Sequence, residues 1–301
     1  MHRAILAVAL VLAPAVLAPA RAAAQRALKV YISVDMEGVT GVVTGEQLGP
    51  TGFEYQRFRE FMTAEANAAI QGAREAGATE ILLSDSHGNG QNLLIEKLPA
   101  DVTVVRSWPR PLMMMEGIDS SFHAAIFIGY HSGTTNPKGV RAHTISSARL
   151  AAVELNGRPV AESGINAAIA GHFGVPVVMI SGDDVAVEEA RALLGDVETA
   201  AVKRALSFHS ALTKTPEAGQ ALIREKVKTA LQRRASFKPY VLPTPVRLVV
   251  TFKSYRPAEM LAYLPIVERI TAHAIRYVGR TMIEISKFIE FITTYTIELD
   301  P

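Results

Sequence analysis

The chain contains no cysteine. That absence excludes disulfides, zinc fingers, iron–sulfur clusters and thiol catalysis together. Any transition-metal site must then be built from histidine, aspartate and glutamate, and a cysteine-free chain suits an oxidising compartment. An excess of charge of one sign is also lacking. The formal charge is +2, from 31 Lys+Arg against 29 Asp+Glu. Arg3 and Arg21 fall in a removable N-terminal stretch, and taking these two from the 31 leaves 29 cations, equal to the acids. A nucleic-acid binder carries a basic face. The densest cationic cluster here, Arg224, Lys226, Lys228, Arg233 and Arg234, falls on an expected helix and reads as its solvated side. No nucleic-acid partner is expected.

Several fingerprints are missing as well. There is no His-Glu-x-x-His of the helical zinc proteases, no Gly-x-x-x-x-Gly-Lys-Ser/Thr and no Gly-x-Gly-x-x-Gly. The Gly-x-Ser-x-Gly elbow of the serine hydrolases is absent too. Past the N-terminus no uncharged apolar run reaches the roughly 20 residues a spanning helix needs. Residues 1–25 read as a secretory signal peptide: His2 and Arg3 precede an apolar run from Ala4 to Ala18, and small-residue cleavage signals follow at Ala20-Arg21-Ala22 and Ala22-Ala23-Ala24. An uncleaved anchor is the alternative, but the run is short for one. The mature protein is therefore expected outside the cytoplasm, periplasmic or secreted, with no stable membrane insertion.

What remains is a globular composition, 49% hydrophobic and 20% charged over 301 residues, enough for two domains or one large one. Leu28–Val34 is a β-branched buried strand, and residues 54–76 place Phe58, Phe61, Met62, Ala66, Ala69 and Ile70 at helical spacing before Gly77. Further strands are expected at Glu80–Leu83, Val102–Val105, Ala124–Ile128, Leu150–Leu155 and Pro176–Ile180, with a helix over Glu162–Phe173. Strands alternating with helices predict a three-layer α/β fold with a mostly parallel sheet. The pattern then changes. A charged helix over Thr215–Arg234 leads through the proline-rich 238–245 to a strand at Leu248–Phe252 and helices near Pro257–Tyr263 and Thr281–Thr294. The expected division is a metal-binding catalytic α/β domain over 26–205 and a smaller α+β domain over 206–301, the latter a candidate oligomerisation unit.

Four polar clusters fall where expected strands end or a helix begins. They are Asp35-Met36-Glu37-Gly38, Ser84-Asp85-Ser86-His87-Gly88, Gly129-Tyr130-His131 and Ala161-Glu162-Ser163-Gly164. Residues two apart in an extended chain point the same way, so Asp35 and Glu37 can face one site. In open α/β sheets the carboxyl ends of the strands line the ligand crevice. Each cluster alone also fits a turn or a helix cap. Together, two histidines and three carboxylates suit a divalent metal site, zinc first. Five ligands exceed one structural zinc, and two ions sharing a carboxylate would account for the excess and suit hydrolysis. His143, in the polar stretch after His131, can be a further ligand, an acid or base, or a surface loop residue, and spacing alone favours the last. Met113-Met114-Met115 reads as core packing. Asp85, Asp183 and Asp184 are candidates for orienting a ligating imidazole, or for capping turns.

In order along the chain, these segments resemble the D-aminopeptidase family of metallopeptidases, the M55 class. The matching stretches are Ser33–Gly38, Thr63–Asn67, Asp85-Ser86-His87, Glu116-Gly117, Gly129-Tyr130-His131, His143, Glu162–Asn166, Gly182-Asp183-Asp184 and Thr199–Lys203. The resemblance implies two zinc ions per subunit, held by Asp35, Glu37, His87, His131 and Glu162, with Asp35 as the bridge. It implies a direct catalytic role for His143. It further implies a homo-oligomeric aminopeptidase that hydrolyses short peptides carrying an N-terminal D-amino acid through metal-activated water. The N-terminal stretch departs from cytoplasmic relatives. Two other functions fit the same residues: a metal-dependent amidase acting on another amide, such as a cell-wall fragment, and a non-enzymatic exported protein that binds metal or peptide.

Overall fold

The computed structural model describes residues 1, 2, 4 and 27–296. The stretch read as a signal peptide falls almost wholly outside the described residues. Among the described residues no helix is long and apolar enough to cross a membrane.

The chain enters at β1 (Lys29–Val34), whose Val30, Ile32 and Val34 face one core and Tyr31 the other, the two-residue alternation of a strand buried on both faces. Helix α1 (Tyr55–Glu75) follows, burying Phe58, Met62, Ala66, Ala69 and Ala73 along one stripe. Next come β2 (Glu80–Asp85), β3 (Thr103–Val105) and β4 (Ala124–Tyr130). Strands β5 (Leu150–Leu155) and β6 (Arg158–Pro159) form a hairpin. Its turn residues Asn156 and Gly157 have φ of 50° and 80°, the paired left-handed backbone that a two-residue hairpin requires. The chain continues through α2 (Glu162–His172), β7 (Val177–Asp183) and α3 (Asp184–Leu194) to β8 (Glu198–Ser207) and β9 (Ser210–Thr213). It ends with α4 (Pro216–Gln232), β10 (Val246–Phe252), α5 (Tyr255–Leu261), β11 (Val267–Arg269), β12 (Ala274–Gly279) and α6 (Met282–Thr294).

The expected α/β class with a mostly parallel sheet holds. The first sheet runs β3-β2-β1-β4-β7-β8-β9, parallel except for β9 at its edge. A second sheet, β11-β12-β10-β5-β6, is antiparallel throughout. Neither sheet is confined to one side of residue 205. Strands β5 and β6 pair with β10, while β9 and α4 belong to the first sheet. Helices α1 and α4 cover one face of that sheet, with Ile223, Val227 and Leu231 packed among the α1 residues. On the other face α2 is buried on all sides between the two sheets. That position explains why α2 carries little polar–apolar contrast in its sequence.

The sequence reading omits α3, β8, β9, β11 and β12. Strand β8 is alanine-rich, a poor β signal, and is held by pairing with β7. Helix α3 did carry a signal, since Asp183 caps it by accepting from the Ala186 amide at 2.7 Å. The cationic side of α4 is tied down rather than free. Arg224 and Lys228 pair with Glu75 of α1, and Arg233 pairs with Asp196 and Glu198.

Candidate metal centre

Strand β1 lies between β2 and β4, and the order of the chain reverses there. Such a reversal opens a crevice at the carboxyl ends of the strands. Asp35 and Glu37 leave β1 at this point, His87 follows β2, and His131 follows β4. Two glycines let the loops close on each other. The Gly38 amide donates to the Gly129 carbonyl at 2.7 Å, and the Asp35 amide donates to Ile128 at 2.8 Å. A Cβ on Gly38 would lie 2.0 Å from the Tyr130 carbonyl oxygen. One on Gly129, whose φ is 71°, would lie 2.3 Å from the Asp35 carbonyl oxygen. Only glycine allows this approach.

The five expected ligands and His143 are thereby brought together. His87 Nδ1 lies 2.8 Å from Glu37 Oε2 and 3.2 Å from Asp35 Oδ1. His131 Nε2 lies 3.3 Å from Asp35 Oδ2 and 3.4 Å from Glu162 Oε2. The two oxygens of Asp35 thus face two different imidazoles. Ligand atoms from Asp35, Glu37 and His131 lie within 4.8 Å of one another, and so do those of His131, His143 and Glu162. His143 Nε2 is 3.6 Å from Glu162 Oε1, and its ring stacks on His131 with centroids 4.1 Å apart.

Each imidazole is oriented by its other nitrogen. His87 Nε2 donates to the Leu48 carbonyl at 2.7 Å, His131 Nδ1 to Ser132 at 3.1 Å and His143 Nδ1 to Arg141 at 2.8 Å. A backbone acceptor on the outer nitrogen fixes the tautomer that presents a lone pair inward, the arrangement of metal-ligating histidines. Asp35 Oδ2 and His131 Nε2 are buried and accept or donate no hydrogen bond among the described residues. Buried polar atoms rarely stay unpartnered, and a divalent cation between these two would partner both. The residues fit such an ion.

Electrostatics agree. Burial and the neighbouring Glu37 push the Asp35 carboxyl up. Burial acts the same way on Glu37 and Glu162, but His87 beside Glu37 and His131 beside Glu162 hold both below the usual carboxylate range. Burial alone would lower His87 and His131, yet the carboxylates around them raise both well above an ordinary imidazole. Three carboxylates out of water need positive charge close by.

Of the two roles open to the aspartates, fixing turns and helix ends is the one their contacts show. Asp85 accepts from the amides of Asn92 and Leu93 at 2.6 and 2.7 Å and from the Asn92 side chain. It fixes the loop whose Asn92 also donates to the His87 carbonyl, and touches no imidazole. Asp183 accepts from Val140 and Ala186, and Asp184 from the Ala205 amide. Met113–Met115 is a buried short helix, as core packing predicts, and its Met114 carbonyl accepts from Tyr31 and from Ser33.

Three contributors carried no role in the sequence reading. Lys203 of β8 is buried, and its ammonium donates to the carbonyls of Glu37, Val39 and Val42, closing the loop that carries Glu37. Ile145 holds φ at 62°, costly for a β-branched residue, and so aims its amide at Glu162 Oε1 at 2.7 Å. Behind the centre, Tyr130 donates to Ser33 at 2.7 Å and accepts from Asn166 at 2.9 Å. Tyr130 and Lys203 fall in stretches that the sequence singles out, but no local pattern gives them or Ile145 these contacts, because each contact spans a long stretch of sequence. The centre opens into a cavity of about 590 Å³ whose further walls include Trp108, Met114, Arg149, Glu290 and Thr293.

Residues 28–291 match the family model of the M55 peptidases, described as D-aminopeptidase. A D-aminopeptidase of Bacillus subtilis (strain 168) is 36% identical over 258 residues, which span 85% of this chain and 93% of that protein. The solved structure of the zinc-dependent D-aminopeptidase DppA from Bacillus subtilis, described as a self-compartmentalizing protease, is also similar. It superposes with a TM-score of 0.85 at 34% identity, over 90% of this chain and all of the other.

Proposed function

The chain belongs to the M55 peptidase family, the D-aminopeptidases, and on that premise we propose that it removes an N-terminal D-amino acid from short peptides with two zinc ions per subunit. The observation that carries this reading is the buried Asp35 carboxylate, which turns one oxygen to His87 and the other to His131. Asp35, Glu37, His87, His131 and Glu162 would together hold the zinc ions. Bound zinc would supply Lewis acidity at the scissile carbonyl and lower the pKa of water towards neutrality.

The remaining work falls to the chain. His143 is the more exposed of the three histidines, at 13% side-chain accessibility against 1% for His131, and it lines the cavity. With Nδ1 committed to Arg141, its Nε2 can take a proton from attacking water and hand it to the leaving amine. Assembly as a homo-oligomer is supported by the self-compartmentalizing relative and by the exposed Tyr263, Ile266, Phe291 and Tyr295 of the C-terminal part. Export to the periplasm or medium is supported by the N-terminal residue pattern alone.

The test is zinc stoichiometry of the purified protein, followed by turnover on matched D- and L-aminoacyl amides and dipeptides. Two zinc ions per chain and selective release of D-residues are expected. Absence of zinc, or hydrolysis restricted to amides without a free N-terminus, overturns the reading and favours a different amidase.

A further inference from the structure

Of the carboxylates in the cavity walls, Asp35, Glu37 and Glu162 belong to the metal centre and Glu290 lies outside that set, and Arg149 is the one permanently cationic side chain of the lining. Arg149 has no carboxylate within 4.0 Å among the described residues. Its Nη1 donates to the Thr293 carbonyl at 3.0 Å, in the last turn of α6. That bond orients the guanidinium and leaves its remaining N–H groups available. The backbone beneath is fixed: Lys253 donates from its amide to the Arg149 carbonyl at 2.8 Å and from Nζ to the Ser147 carbonyl at 2.6 Å. A fixed, exposed guanidinium with no carboxylate beside it among the described residues is therefore held at the wall of the cavity that opens on the metal centre.

A short peptide is a zwitterion. With its N-terminal residue at the metal centre, the charge at its other end is the C-terminal carboxylate, and Arg149 is the cation in the cavity walls able to receive it. Guanidinium and carboxylate match as a two-pronged pair. We propose that Arg149 anchors the C-terminal carboxylate of the substrate, making this enzyme selective for very short peptides with a free C-terminus over amides and blocked peptides. This rests on the aminopeptidase reading and adds the substrate class to it. A cavity of about 590 Å³ suits a ligand of that size. Neighbouring Glu290 accepts at Oε1 from the Arg110 amide at 3.0 Å, and no ion pair joins it to Arg149 among the described residues.

The test compares D-alanyl-D-alanine with D-alanyl-D-alaninamide, which differ only in the terminal charge, on the zinc-loaded full chain. The wild type is expected to favour the free dipeptide in kcat/KM by roughly 10–100-fold, the value of a charge-assisted pair. The preference should lie in KM. Arg149→Gln should bring the ratio close to one, and Arg149→Lys should restore part of it. A ratio that Arg149→Gln leaves unchanged, including an equal loss on both substrates, overturns the proposal. A wild type that hydrolyses neither compound overturns the aminopeptidase reading itself, which is a distinct result.

Discussion

Replacing Lys203 with methionine removes a buried ammonium while keeping most of the side-chain volume. In the wild type that group is 3% exposed and donates to Glu37 at 2.5 Å, Val42 at 2.7 Å and Val39 at 3.0 Å. Burial pulls its pKa down to about 8, opposed by the charges of Asp183, Glu65, Glu37 and Asp35. Methionine leaves three inward carbonyls without their donor and the surrounding carboxylates without their counter-charge. Removing one partner from such a buried charged group costs about 3–5 kcal/mol. With a urea slope of about 1–3 kcal/mol/M, the unfolding midpoint should fall by roughly 1–5 M. The loop from Glu37 to Val42 also loses its tether, so zinc affinity should weaken by about 10–100-fold, as when an outer partner of a ligand is lost. Urea titration followed by circular dichroism, with zinc titration of the same preparation, reads both effects. A midpoint within about 0.3 M of the wild type would refute the reasoning, since the three bonds would then contribute little.

Gly38→Ala should destabilise the fold by at least about 3 kcal/mol, because the new Cβ meets the backbone oxygen of Tyr130 and neither chain can yield; thermal unfolding at near-wild-type temperature would contradict this. His143→Ala should retain zinc while kcat drops by roughly 10²–10⁴-fold, and zinc content falling in step with activity would make His143 a ligand instead. Arg233 lowers the pKa of Asp196. That pairing therefore stabilises the fold above the ordinary aspartate pKa of about 4 and is lost as pH falls through the lowered value. Arg233→Gln should flatten the decline of Tm in acid, and an equally steep decline in the variant would count against the pairing.

Much of the fold and the centre could be read in the sequence, for a physical reason. Buried parallel strands are continuous β-branched runs, so β1, β2 and β4 announced themselves, and the polar residues ending them had to lie on one edge of the sheet. Asp35, Glu37, His87, His131 and Glu162 were therefore visible as a possible set before any coordinates. With no cysteine in the chain, their chemistry was confined to nitrogen and oxygen ligands. The tertiary structure alone decided which atoms face which. It split the two oxygens of Asp35 between two histidines, gave each imidazole a backbone acceptor, and seated His143 against His131 rather than in a free loop. It also brought Lys203 beneath a loop 161 to 166 residues away, and Thr293 beside Arg149 across 144 residues. Composition and periodicity record the burial of neighbouring residues along the chain. Partnerships over such separations exist only once the strands and helices that carry them have packed, so no local pattern could have encoded them.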